Sequence, residues 1–286
     1  MSNVIAIIVD GVAYGMLLFL SAVGLSVTLG LMRFINLAHG AFAMGGGYLA
    51  VVLVDAGLPF LLSLPIVFLA IGASGIAIER AGIRHLYRRT ALEQVLFSIG
   101  LALALGALAN LVFGPQQQAI QIPSLLSGRV TVLGLDIARY RLFLIVMGAA
   151  TAITLVCLFE YTLFGARIRA AVDNRRAAEG IGIQVERLFA VTFGLGAALA
   201  GLGGALSVEM LGLDPAFALK YLTILLMVVA IGGAGSIAGS LQAALVLGTV
   251  DALFKYFLPE AGGFVIFGLL VAVLLVRPSG LRGRAA

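Results

Sequence analysis

Two stretches of this chain carry residues whose types and spacing suit them to chemistry or recognition. In the first, Asn36, Gly40, Ala43 and Gly47 recur at i, i+4, i+7 and i+11, with His39 beside them. On a helix these positions share one face, which is small throughout except for one carboxamide. Such a face lets a second helix, or a solute, come close to the backbone. Asn36 would then hydrogen-bond either a neighbouring helix or the solute, so this face either lines a translocation path or packs helices. In the second stretch, residues 164–183, Ile168, Ala171 and Val172 fall at i, i+3 and i+4. Arg167, Arg169, Asp173, Arg176 and Glu179 are spread around the remaining positions. That pattern predicts a short amphipathic surface helix ended by Gly180, a favourable residue at a helix C-terminus. By spacing alone it is either a projecting contact for a partner or a solvated cationic loop.

Several kinds of chemistry are excluded. ATP hydrolysis by a P-loop needs a glycine-rich turn followed by Lys-Ser or Lys-Thr, but the two lysines, Lys220 and Lys255, follow Leu219 and Phe254. The run Gly232-Gly233-Ala234-Gly235-Ser236-Ile237-Ala238-Gly239 misses the dinucleotide spacing and reads as a packing or hinge element. The only two histidines, His39 and His85, are far apart, which argues against a zinc site or a histidine-based nucleophile system. No metal site, cofactor or catalytic residue is expected in this chain. The single Cys157 lies in an apolar run and is expected to be a buried structural thiol.

The elements that must position these stretches are membrane spans. Hydrophobic residues make up 62% of the 286 and charged residues 11%, against about 25% charged in a soluble domain. A water-soluble fold could not cover its surface with so few charges, so the apolar excess calls for a bilayer. Apolar runs of about 20 residues fall roughly at 4–31, 34–54, 60–80, 92–113, 141–161, 186–211, 218–233, 239–257 and 262–276. The fold class is therefore an all-α polytopic membrane protein with eight or nine transmembrane helices. One transmembrane domain spans 1–286. Of its 18 basic residues, 16 are arginines set between apolar runs without interleaved aromatics, which argues against a nucleic-acid surface.

Orientation follows from the basic residues of the short loops. One set of loops carries Arg80, Arg84, Arg88, Arg89, Arg167, Arg169, Arg175, Arg176, Arg187, Arg277, Arg282 and Arg284, twelve in all. The opposite set carries Arg129, Arg139, Arg141, Lys220 and Lys255. The richer set is expected in the cytoplasm, with the C-terminus inside and, for nine spans, the N-terminus outside. Residues 114–140 then form an outer, periplasmic loop, with a small hairpin near Arg129–Ile137, and residues 162–187 form the longest cytoplasmic loop.

Five segments in register resemble the LivH-type permeases of branched-chain amino acid ABC importers. They are Asn36-x-Ala38-x-Gly40; Arg169-Ala170-Ala171-x-x-Asn174-x-x-x-Ala178-x-Gly180-Ile181; Ala200-Gly201-Leu202-Gly203-Gly204-Ala205-Leu206; Gly232-Gly233-x-Gly235-Ser236-x-x-Gly239; and Arg277-Pro278-Ser279-Gly280-Leu281. The resemblance implies a permease subunit of the bacterial inner membrane. It implies a related second permease subunit, two cytoplasmic ATPase subunits that carry ATP and magnesium, and a periplasmic solute-binding protein. It implies that Arg169, Ala170, Ala171, Asn174, Ala178, Gly180 and Ile181 couple the permease to the ATPase. The second segment lacks the strict Glu-Ala-Ala opening of other importers. The competing reading is an ion-coupled secondary transporter, which would place ionisable residues near the midplane of broken helices. Asp10, Glu93, Glu209, Asp251 and Lys255 are the candidates. Most lie towards span ends, and Asp251 and Lys255 are one turn apart and able to pair.

Overall fold

The computed structural model describes residues 2–32, 34–87, 89–132, 135–260 and 262–282. Arg33, the expected break between the first two spans, and Arg88 and Arg284 of the basic count lie outside these residues. The chain folds as α1 (Ser2–Met32), α2 (His39–Asp55), α3 (Phe60–Ala81), a 3-10 turn (Ile83–Leu86), α4 (Ala91–Phe113), β1 (Arg129–Val132), β2 (Leu135–Ala138), α5 (Arg139–Tyr161), α6 (Leu163–Asp173), α7 (Arg175–Gly180), α8 (Val185–Leu211), α9 (Phe217–Gly232), α10 (Ile237–Phe257) and α11 (Gly262–Val276).

Among the described residues, α1, α3, α4, α5, α8 and α10 are long and apolar enough to cross a membrane. Three shorter apolar helices, α2, α9 and α11, make up the nine expected spans. The 17 residues of α2 and 16 of α9 rise only about 24–26 Å, against a hydrocarbon core of about 30 Å. Each is preceded by a non-helical stretch whose backbone must be satisfied by protein groups. The helix expected from residue 34 therefore begins only at His39, and residues 34–38 form an extended connector and turn.

At the centre lies α8, buried along most of its length against α1, α2 and α3. It is built for this by its small residues. Gly24 of α1 meets the backbone of Gly196, and Gly204 meets the backbone of Ala43 on α2, with no space for a Cβ at either position. Lipid tails are as apolar as leucine, so close backbone approach supplies the dispersion contacts that hold membrane helices together. The outer faces of α3, α4 and α5 present Leu62, Leu69, Leu96, Leu111, Val146 and Ile153. Cys157 is on this exposed side of α5, so the expected buried thiol is not found. The apolar run around it does not distinguish a protein core from a lipid face.

The hairpin expected near Arg129–Ile137 is present: β1 and β2 pair antiparallel with Arg129 opposite Ala138. At the same end of the bundle, Gln118 and Leu213 exchange both backbone hydrogen bonds (2.7 and 3.2 Å), tying the loop after α4 to the stretch before α9. Arg141 pairs with Asp10 at 3.3 Å, and Lys255 donates to the buried Asp251 at 2.7 Å as the sequence spacing suggested.

Candidate functional site

The small face of α2 lies against α8, α9 and the stretch between them. A Cβ on Gly40 would run into the carbonyl oxygen of Ala218 at the start of α9. Ala43 is fully buried against Gly204 of α8, and a Cβ on Gly47 would meet Leu213 Cδ2 at 3.0 Å and Val208 Cγ2 at 3.3 Å. His39 is buried at the first position of α2, and its Nε2 donates to the Ser21 carbonyl of α1 at 2.8 Å. Asn36 does not share the helical face with these residues, because it lies in the connector before α2. Its side chain is buried, and Oδ1 has no hydrogen-bond partner among the described residues.

Two side chains of α4 hold the connector. The Ile35 amide donates to Gln94 Oε1 at 3.2 Å, and Ser98 Oγ donates to the Ile35 carbonyl at 3.4 Å. The Gln94 amide nitrogen in turn donates to the carbonyls of Leu86 and Arg89. A capping box sets the height of Gln94: Thr90 Oγ1 accepts from the Glu93 amide and the Glu93 carboxylate accepts from the Thr90 amide. Gln94 and Ser98 were not singled out from sequence. The only available signal was a pair of polar residues four apart on one face of an otherwise apolar span.

The cytoplasmic-loop candidate is two helices rather than one. α6 carries the amphipathic pattern and ends at Asp173. Asn174 then adopts an extended backbone (φ −151°, ψ 95°), and its side chain accepts from the Ala177 amide at 3.0 Å, capping α7. Gly180 is the last residue of α7, and the residue with positive φ is Gly182 (+86°), two positions beyond the expected stop. The asparagine explains the break: its carboxamide satisfies a free amide of the next helix better than it serves a helix interior. Asn174→Ala is expected to destabilise α7 by about 1 kcal/mol, seen as faster hydrogen exchange at Ala177 with α6 unchanged.

The residues of this segment divide between an inner and an outer face. Ala171 and Ala178, two of the residues through which the resemblance implies coupling, are each 2% exposed and pack into the chain's own interior. Ala170 is half-buried. Arg169 donates to the Phe159 carbonyl at the end of α5, and Gly165 lets the α5–α6 corner close against the same residue. Gly180 faces open space, and Ile181 is 77% exposed. Arg175 pairs with Glu179 at 2.8 Å and Glu186 at 3.9 Å, and Glu186 also binds Arg84 in the 3-10 turn. Tyr87, just after that turn, donates to Glu79 Oε1 at 2.9 Å and sets its ring edge-on to Phe34 and Phe189. Burial, and then the Glu79 carboxylate, hold the Tyr87 phenol well above its ordinary range, so it stays a donor.

Two further resemblance segments, Gly232–Gly239 and Arg277–Leu281, lie at the end of the bundle that carries α6, whereas Ala200–Leu206 lies within α8 and packs on α1, α2 and α3. Gly233 (φ 90°) and Gly235 (φ 83°) form the tight turn between α9 and α10, and Ser236 caps α10 by accepting from Gly239 at 3.0 Å. The Gly235 amide donates to the Ser26 carbonyl of α1, and the Leu281 amide donates to the Ile231 carbonyl at 2.7 Å.

The chain is thus a bundle of apolar spans with a two-helix segment, α6 and α7, seated at one end. Residues 7–274 match the model of the family described as branched-chain amino acid transport system / permease component, and the chain belongs to that family. It is similar to the high-affinity branched-chain amino acid transport system permease protein LivH of Salmonella typhimurium, 28% identical over 291 residues, covering 96% of this chain and 94% of the relative. It is similar also to the corresponding permease protein BraD of Pseudomonas aeruginosa, 29% identical over 299 residues, covering 97% and 95%. Among solved structures, PsaBC from Streptococcus pneumoniae in complex with Fab aligns over 96% of this chain and 88% of that one, at 14% identity and a TM-score of 0.43, too loosely to carry an argument.

Proposed function

We propose that this chain is the membrane-spanning half of an ATP-driven importer of branched-chain amino acids or a closely related small polar solute. The family match over residues 7–274 is the observation that carries this reading. Two ATPase subunits hydrolyse ATP on the cytoplasmic side, a related permease subunit completes the membrane pair, and a periplasmic binding protein delivers the solute. Transport is by alternating access: closure of the ATPase pair moves α6 and α7, and the solute path opens towards the binding protein. Docking rests on Gly180 and Ile181, which face outward, while Ala171 and Ala178 seat the segment on the bundle. Asn174 sets the angle between its two helices. Of the ionisable groups that an ion-coupled carrier could use, Asp251 pairs with Lys255, Asp10 with Arg141 and Glu93 with Arg89, while Glu209 is exposed and enters no ion pair among the described residues.

The proposed orientation has the N-terminus outside and the C-terminus in the cytoplasm. In a background lacking Cys157, cysteines at His85 and Arg282 are expected to resist membrane-impermeant thiol reagents in intact cells, while one at Ser127 is labelled. Labelling at His85 would reverse the orientation. For the substrate class, uptake of labelled leucine into vesicles holding the whole complex is expected to be competed by isoleucine and valine and not by lysine or glutamate. Equal competition by all of them would overturn it.

A further inference from the structure

At the end of the bundle that carries α6 and α7 lies a cavity of about 1080 Å³, bounded by α1, α6, the α9–α10 turn and the segment after α11. Much of its wall is apolar, with Leu226 and Leu274 among its residues. Four charged side chains also line it: Glu160 in the last turn of α5, Arg169 and Asp173 on α6, and Arg282 beyond α11. Two are anionic and two cationic, yet among the described residues none of the four enters an ion pair. Arg169 is held in place by its hydrogen bond to the Phe159 carbonyl. The cavity sits where the apolar spans α5 and α11 end, the depth at which a bilayer changes from acyl chains to headgroups.

We propose that this cavity holds the headgroup of a phospholipid that bears both a phosphate and a primary ammonium. The phosphate lies between Arg169 and Arg282, a guanidinium being suited to bidentate contact with it. The ammonium lies towards Glu160 and Asp173, and the first acyl carbons run along Leu226 and Leu274. A headgroup with phosphate alone would face two carboxylates without compensation. A trimethylated ammonium keeps the charge but has no N–H to donate. Basic pockets between spans commonly bind anionic headgroups, and the two added carboxylates shift the preference here to a zwitterion. The lipid ties α6 to the end of α11.

The test uses the complete complex in nanodiscs of equimolar phosphatidylethanolamine, phosphatidylglycerol and phosphatidylcholine, with retained lipid measured by native mass spectrometry. Phosphatidylethanolamine is expected to be enriched. Arg282→Gln and Asp173→Asn, both at exposed positions, are each expected to lower its retention about fivefold while the subunits stay assembled. Excess free phosphoethanolamine is expected to leave the lipid in place. Equal retention of the three lipids, or retention unchanged by both substitutions, would overturn the proposal. So would displacement by free phosphoethanolamine, which would assign the site to a soluble zwitterion instead.

Discussion

Gly40→Leu is expected to remove the folded subunit from the membrane rather than leave an assembled but inactive one. Any Cβ at Gly40 collides with the Ala218 carbonyl oxygen, which belongs to backbone and cannot swing aside as a flexible side chain would. Accommodation requires α2 and α9 to separate. Because α2 is also pressed against α8 at Ala43 and Gly204, that movement spreads to the most buried helix of the bundle. Overpacking typically costs about 1–3 kcal/mol and occasionally more, and a collision with backbone lies at the upper end of that range, a large share of the roughly 5–15 kcal/mol that separates folded from unfolded chains. Gly268→Leu on α11 is the control, since nothing lies within 4 Å of a Cβ there. Membrane abundance and the size-exclusion profile of the purified complex distinguish the two outcomes. A well-assembled Gly40→Leu complex that fails only in uptake would restore α2 as the lining of a path.

Ile181→Asp and Gly180→Trp are expected to uncouple ATP hydrolysis from uptake. Ile181 is an exposed aliphatic side chain on a helical segment fixed to the bundle by buried Ala171, Ala178 and the Arg175–Glu186 pair. Burying such a side chain at an interface contributes about 1.5–3 kcal/mol, equivalent to roughly tenfold to a hundredfold in affinity. A carboxylate at the same place reverses that gain. The indole at position 180 would project into the space the partner needs, without disturbing the chain itself, because that position is open. Arg176→Ala removes only an exposed charge, with an expected effect of about 0–1 kcal/mol. Uptake and substrate-stimulated ATPase activity in reconstituted vesicles read all three variants. If Ile181→Asp and Gly180→Trp both behave as wild type, residues 163–182 are a connector and the docking assignment fails.

The spans were legible because they rest on long-range composition: apolar runs of membrane length survive any detail of packing. The hairpin at Arg129–Ala138 and the Asp251–Lys255 pair were legible because their signals are local. What sequence could not resolve was the direction in which a small residue faces. Ala171 and Ala178 belong to the segment through which the resemblance implies coupling and are interior, while Ile181 is the exposed group. Helical periodicity placed Asn36 on one face with Gly40, but it belongs to the connector that Gln94 and Ser98 hold from another span. That contact joins residues 59 positions apart, beyond the reach of any local spacing rule. The break at Asn174 was available in principle, because asparagine is a poor residue for a helix interior and a good N-cap.

This permease is proposed to move its solute with energy from a separate ATPase. The most direct measurement is uptake of labelled leucine into vesicles containing this chain, its permease partner and the ATPase pair, with the binding protein outside. Accumulation is expected only with hydrolysable ATP on the ATPase side, and it is expected to persist when ionophores collapse the proton and sodium gradients. Accumulation by this chain alone, driven by an imposed ion gradient without ATP, would contradict the account.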